Sequence, residues 1–140
     1  MTHSEQFAQY LHDQEIHMER HVTEEGDPYF LSEQQLDEGV SIRLAINFYT
    51  GEHTVVEIWL MGLAELRNNA KIDGLMKLFN DFNTEKRFST FMLVEEKFVD
   101  VNGSLLFIDN FNPEVILETC RIMLEDCEEL YPTIMGYIWS

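Results

Sequence analysis

Two consecutive segments, SIRLAINFY (41–49) and TVVEIWLMGLA (54–64), constrain the fold more than any other part of the chain. In the first, Ile42, Leu44, Ile46 and Phe48 alternate with Ser41, Arg43, Ala45 and Asn47, the period of two of a strand with one apolar face. Such a strand belongs in an antiparallel sheet, with one face buried and the other turned to water or to a partner. In the second, Val56, Ile58 and Leu60 alternate with Val55, Glu57, Trp59 and Met61, so both faces are largely apolar. That strand is expected to be central or half-covered by a partner. TGEH (50–53) turns the chain between the two.

The flanking segments build outward from this pair. YFLSEQQL (29–36) reads as the preceding strand, with Asp37-Glu38-Gly39 as a turn signal. THSEQFAQYLHD (2–13) reads as a helix, because Thr2 and Glu5 stand at capping-box spacing and Phe7, Tyr10 and Leu11 form an i, i+3, i+4 stripe. Residues 16–22 fit either a continued helix, through Ile16, Met18 and Val22, or a strand, through Ile16, Met18, Arg20 and Val22; Gly26-Asp27-Pro28 then ends the segment. IDGLMKLFNDFN (72–83) is helical, with Leu75, Leu78, Phe79 and Phe82 on one face. Gly74 costs that helix roughly 1 kcal/mol against alanine, so tertiary packing has to hold it. RFSTFMLVE (87–95) returns to strand character, followed by KFVDV and SLLFIDNF. Two turn signals compete there, Glu95-Glu96 and Asn102-Gly103; Asn-Gly is the stronger hairpin signal, and two short turns joining a bent ribbon are expected.

The last helix is the best-marked element. Asn112 is a good N-cap, Pro113 takes the first helical position, and Glu114 suits the positive helix end. Ile116, Cys120, Met123, Cys127 and Leu130 then repeat at spacings of 4, 3, 4 and 3. Pro132 should end or kink the helix, and the apolar tail TIMGYIWS should dock rather than hang in water. The resulting order is α-β-β-β-α-β-β-α: an α+β fold, a single domain over 1–140, with helices packed on an antiparallel sheet of about five strands.

Charge and motif content narrow the function. The net charge is −17, from 26 acids against 9 bases, so a phosphate-neutralising nucleic-acid surface and an anionic membrane are both poor partners. No apolar run reaches the ~20 residues of a membrane helix, and MTHSEQFAQYLHDQ lacks the features of a signal peptide, so the cytoplasm is the expected location. Cys120 and Cys127, seven apart on a helix, are separated by about 10.5 Å of rise, beyond disulfide reach, and are expected to be reduced core thiols. HMERH (17–21) puts His17 and His21 on one face if helical, where they could grip a metal. The zinc-protease pattern, however, needs glutamate where Met18 stands. No phosphate-binding, dinucleotide or serine-nucleophile motif is present, and the adjacent acids read as solvated charge. No enzyme activity and no cofactor are expected.

What remains is surface. Trp59, Met61, Phe91 and Trp139 are the large apolar groups singled out as partner-binding candidates, with Tyr137 beside them. A sheet with helices on one face leaves its other face open, and aromatic groups there want a partner, for which a second copy is the simplest choice. In LFNDFNTEKRFSTF (78–91) the polar groups are read as a structural junction: Asn83 at the helix C-terminus, Asn80 tying its side-chain amide to the adjoining strand, Arg87 pairing with Asp81 or with terminal carbonyls.

The same junction, a helix with LxxxFNxFN over Leu75–Asn83, then Arg87-Phe88, then Phe91 on the next strand, resembles the YbjN-like family of small acidic bacterial proteins labelled sensory transduction regulators. The resemblance extends back through strands 41–64 and forward to LYPTIMGYIW. It implies a fold like that of class I type III secretion chaperones: one antiparallel sheet, helices packed on it, often a dimer. It carries over no catalytic residue. The expectation is a non-enzymatic protein-interaction module, a chaperone-like adaptor or regulator binding a protein or peptide partner as a homodimer. The alternatives are an acidic nucleic-acid mimic that inhibits a nucleic-acid-binding protein, and a small metal-binding protein using His17 and His21.

Overall fold

The alternation at 41–50 and 54–65 places two long strands side by side at the centre of a six-stranded, wholly antiparallel sheet. The computed structural model describes residues 1–37 and 39–140. Its elements are α1 (His3–Asp13), β1 (Glu19–Val22), β2 (Pro28–Gln35), β3 (Ser41–Thr50), β4 (Thr54–Glu65), a 3-10 turn (Asn69–Lys71), α2 (Ile72–Glu85), β5 (Thr90–Val94), β6 (Phe98–Phe107) and α3 (Pro113–Ile138). The sheet order is β1-β2-β3-β4-β6-β5. The fold is therefore α+β as expected, with one strand added at the N-terminal edge. The turn expected at 37–39 includes Glu38, which lies outside the described residues. No helix is long and apolar enough to cross a membrane among the described residues.

One contiguous core joins all three helices to the same face of the sheet. Ile42, Leu44, Ile46 and Phe48 of β3, Val56, Ile58 and Leu60 of β4, and Val99 and Val101 of β6 are all buried on it. From α1, Phe7 meets Phe30 edge-on at 5.0 Å and lies 5.5 Å from Phe48. From α2, Phe79 and Phe82 close on Phe91 at 6.1 and 5.4 Å. From α3, Ile116, Cys120, Met123, Cys127, Leu130 and Ile134 form the buried stripe. The helix starts follow the sequence: Thr2 and Glu5 complete a capping box, and the Asn112 side chain accepts from the Glu114 N–H at 3.0 Å.

Several local expectations are corrected. Residues 19–22 are strand, paired with β2, so the helical alternative fails. The single turn between β5 and β6 is at Glu95-Glu96, both left-handed at φ 56° and 57°, and β6 runs unbroken through Asn102-Gly103. Gly103 is there for close approach: a Cβ would stand 2.6 Å from the Phe88 carbonyl oxygen and 2.8 Å from the Met123 sulfur. Nor does Pro132 end α3, which continues six residues to Ile138. The last turns are anchored from outside the helix. Ile134 is fully buried, the Tyr137 hydroxyl donates to the Lys71 carbonyl at 3.2 Å, and Lys71 Nζ donates back to the Tyr137 carbonyl at 2.7 Å. Lys71 also binds the backbone oxygen of Ser140, placing a cation on the negative end of α3.

At the α2–β5 junction the roles of the two asparagines are exchanged. Asn83, not Asn80, reaches the strand: its Oδ1 accepts from the Phe91 N–H at 2.7 Å and its Nδ2 donates to the Phe91 carbonyl at 3.1 Å. One amide side chain thus satisfies both backbone groups of Phe91 on the outer edge of β5, as a neighbouring strand would. Asn80 is exposed, and its carbonyl accepts from the Thr84 hydroxyl at 2.8 Å. Arg87 is exposed, and the ion pairs at this junction belong instead to Lys86, which binds Glu129 and lies 3.8 Å from Asp126. Asp126 also accepts from the buried Ser89 hydroxyl at 2.8 Å, tying the junction to α3.

Three stability tests follow from these contacts. Gly74→Ala improves helix propensity by about 1 kcal/mol, yet its Cβ would lie 1.8 Å from the Tyr137 hydroxyl oxygen. Thermal unfolding should therefore show a net loss of about 1–3 kcal/mol, and a smaller loss in a Tyr137→Ala background. Replacing Glu95-Glu96 by Asn-Gly relieves two left-handed side chains and should add about 1–2 kcal/mol in denaturant titration. Asn83→Ala leaves both Phe91 backbone groups unpaired and should cost about 1–3 kcal/mol, where Asn80→Ala stays within about 0.5 kcal/mol.

Candidate functional site: the uncovered face of the sheet

Because the helices share one side, the odd-numbered residues of β2, of β3 and of β4 as far as Met61, and the even-numbered residues Asn102, Ser104 and Leu106 of β6, look outward with no helix over them. The register aligns them in rows. Leu31 stands opposite Ala45, Ala45 opposite Trp59, and Trp59 opposite Asn102. One row toward one end are Tyr29, Asn47, Glu57 and Ser104; one row toward the other are Glu33, Arg43 and Met61. Beyond the first of these, Tyr49, Val55 and Leu106 line up, with Tyr49 and Leu106 exposed at 39% and 59%. Trp59 and Met61 are half-buried.

The floor of this surface is Ala45. It is 5% exposed although nothing is packed above it, because longer side chains on β2 and β4 rise around its single methyl. Over it lies a hollow of about 340 Å³ lined by Tyr29, Leu31, Met61 and Tyr49, with Asp27 at the rim. A second hollow of about 560 Å³, sharing Leu31 and Arg43, continues toward β1 and is bounded by His17, Glu19 and Glu33. Glu57 braces the middle of the face, accepting from the Trp59 indole N–H at 3.5 Å. Partial burial, and then the neighbouring Glu57 carboxylate, hold the Tyr49 phenol above its ordinary pKa.

The sequence candidates do not converge on one site. Trp59 and Met61 share the uncovered face. Phe91 does not: it is 2% exposed, packed between Phe79 and Phe82, because its row on β5 faces the helices. As a partner-binding residue it is withdrawn. Trp139 lies elsewhere, 79% exposed at the end of α3, beside a hollow of about 470 Å³ lined by Ala64, Tyr131, Met135 and Ile138. Asn80, Asn83 and Arg87 sit at the opposite edge of the sheet from the Ala45 hollow. The residues that reading by sequence missed are Tyr29, Leu31, Arg43 and Ala45. The alternation of β3 marked Arg43 and Ala45 as outward-facing, but only the strand register brings Leu31 and Trp59 to either side of Ala45.

The chemistry of other candidates is set by their surroundings. His17 precedes β1, whereas His21 lies on it, stacked on Tyr29 at 5.2 Å and 3.5 Å from the Glu19 carboxylate. The helical turn that would bring both imidazoles to one ion is not formed. No group of three metal-ligating side chains could hold an ion among the described residues. Cys120 and Cys127 are buried and free, and burial pushes both thiols up to about 12, so neither is a thiolate near neutral pH.

A comparison with curated proteins found no match. A family model described as "Putative bacterial sensory transduction regulator" matches residues 3–135, which takes in every strand and all but the last turn of α3. On that match, the chain belongs to the YbjN family.

Proposed function

We propose that this protein is a non-enzymatic interaction module of the bacterial cytoplasm, a chaperone-like adaptor or regulator that holds a protein or peptide against its sheet. The observation that carries this reading is the uncovered face, where Leu31, Trp59 and Met61 on one side of the polar row Asn47, Glu57 and Ser104, and Tyr49, Val55 and Leu106 on the other, present large apolar side chains with no helix over them. Large apolar side chains left on an uncovered sheet face are retained where another polypeptide shields them. The family description as a regulator agrees with a binding rather than a chemical role. A homodimer is the simplest assembly for such a module, formed on whichever apolar surface, the sheet face or the Trp139 end, the partner leaves free. Trp59, Met61 and Trp139 are its proposed contact residues.

The nucleic-acid mimic draws less support. A decoy needs unpaired acids in regular rows, whereas on α3 Arg121 binds both Glu118 and Glu125, and Lys86 binds Glu129 beside Asp126. The test of the module is sedimentation velocity at micromolar concentration, together with retention on immobilised peptides of varied charge and hydropathy. The native protein should dimerise or retain peptide, and Met61→Glu should abolish the sheet-face component while shifting stability by no more than about 0.5 kcal/mol. A monomer that retains no peptide would remove the basis for this reading.

A further inference from the structure

We infer that the occupant of the sheet face is a basic segment of another protein, which inserts an apolar side chain into the hollow over Ala45 and sets its lysines or arginines on the acidic rim. The inference rests on the interaction-module reading and names the partner chemistry of the same face. Three observations carry it. The first is shape. Ala45 is the one small residue in a row between Leu31 and Trp59, and the resulting hollow of about 340 Å³ matches the lower end of ordinary ligand sites. The second is the rim. Asp27 lines the Ala45 hollow, Glu19 and Glu33 line the adjoining one, and Glu57 lies beside Tyr49, against one arginine, Arg43, which both hollows share. The third is the whole-molecule field: at −17, the chain attracts basic segments.

Charge also decides against a second copy on this face. Self-pairing of the sheet faces would bring together two surfaces on which Glu19, Asp27 and Glu33 outnumber Arg43, so acids would lose water with too few cations to pair them. A basic segment reverses both terms. Its cations lower the cost of desolvating the rim, and its apolar side chain covers the Ala45 methyl and the flanks of Leu31, Tyr29 and Met61. Arg43, exposed at the boundary of the two hollows, is available to a carboxylate or main-chain carbonyl of the same segment and would set its register.

The test uses the full chain and three synthetic peptides of equal length, in which leucine alternates with lysine, serine with lysine, or leucine with glutamate. Binding is followed by calorimetry at physiological ionic strength. The Lys-Leu peptide should bind about tenfold or more tighter than either control, the scale of one buried apolar side chain. Ala45→Leu fills the hollow and should weaken the Lys-Leu peptide by a similar factor. Glu33→Gln and Glu57→Gln should weaken it and flatten its salt dependence, with circular dichroism showing that each variant is folded. Equal binding of the Lys-Ser peptide, or indifference to both the hollow and the rim variants, would overturn the inference. A homodimer that Ala45→Leu dissociates would also overturn it and leave the interaction-module reading intact; that reading falls only if neither peptide nor second copy engages the face.

Discussion

Every other feature of this molecule depends on all three helices being packed against one face of a single sheet. β3 and β4 each present an unbroken apolar row to the same side, and α1, α2 and α3 have one apolar stripe apiece. Burying those stripes together satisfies the largest favourable contribution to folding. It also uses up the helices. The opposite face keeps its Trp, Tyr, Met and Leu side chains without a second layer, and this uncovered apolar surface is the by-product of how the core closes.

The one-sided arrangement is secured at its margins by polar contacts more than by additional core. Asn83 supplies the outer edge of β5 with the hydrogen bonds a further strand would have made, which blunts that edge against uncontrolled pairing. Lys71 and Tyr137 bind each other's carbonyl oxygens, and the tyrosine hydroxyl occupies the space left by the absent side chain of Gly74. That contact explains two departures from local rule at once: a glycine inside α2, and a helix that continues past Pro132. Asp100 does the same for β4, accepting the Gly62 N–H at 3.0 Å where a bulge withdraws it from the ladder.

Much of this fold is legible in the residues alone. The period-two alternation of β3, the capped start of α3 and its 4-3-4-3 stripe, and the capping box of α1 are local signals, and they survive because the tertiary structure asks nothing different of them. The failures share one cause. Asn102-Gly103 carries the stronger hairpin signal, but Gly103 is required beneath Met123, so the chain turns at two glutamates. Phe91 looks as available as Trp59 on an alternating strand. Which of its faces meets the helices depends on pairing with Val101, a partner ten residues away. Asn80 and Asn83 are equivalent by composition, and one turn of α2 separates the residue that meets Phe91 from the one that meets water.

By itself the sequence determined that the chain is α+β, that its strands have one strongly apolar face, that its net charge is −17, and that it resembles one family. These follow from periodicity, total charge and local pattern, none of which needs long-range contacts. Only the tertiary structure decided which apolar side chains are spent on the core and which are left at the surface. It also decided that Ala45 is the floor of a hollow between Leu31 and Trp59. Those outcomes rest on strand register, and register is settled by the joint burial of side chains from segments far apart in the chain.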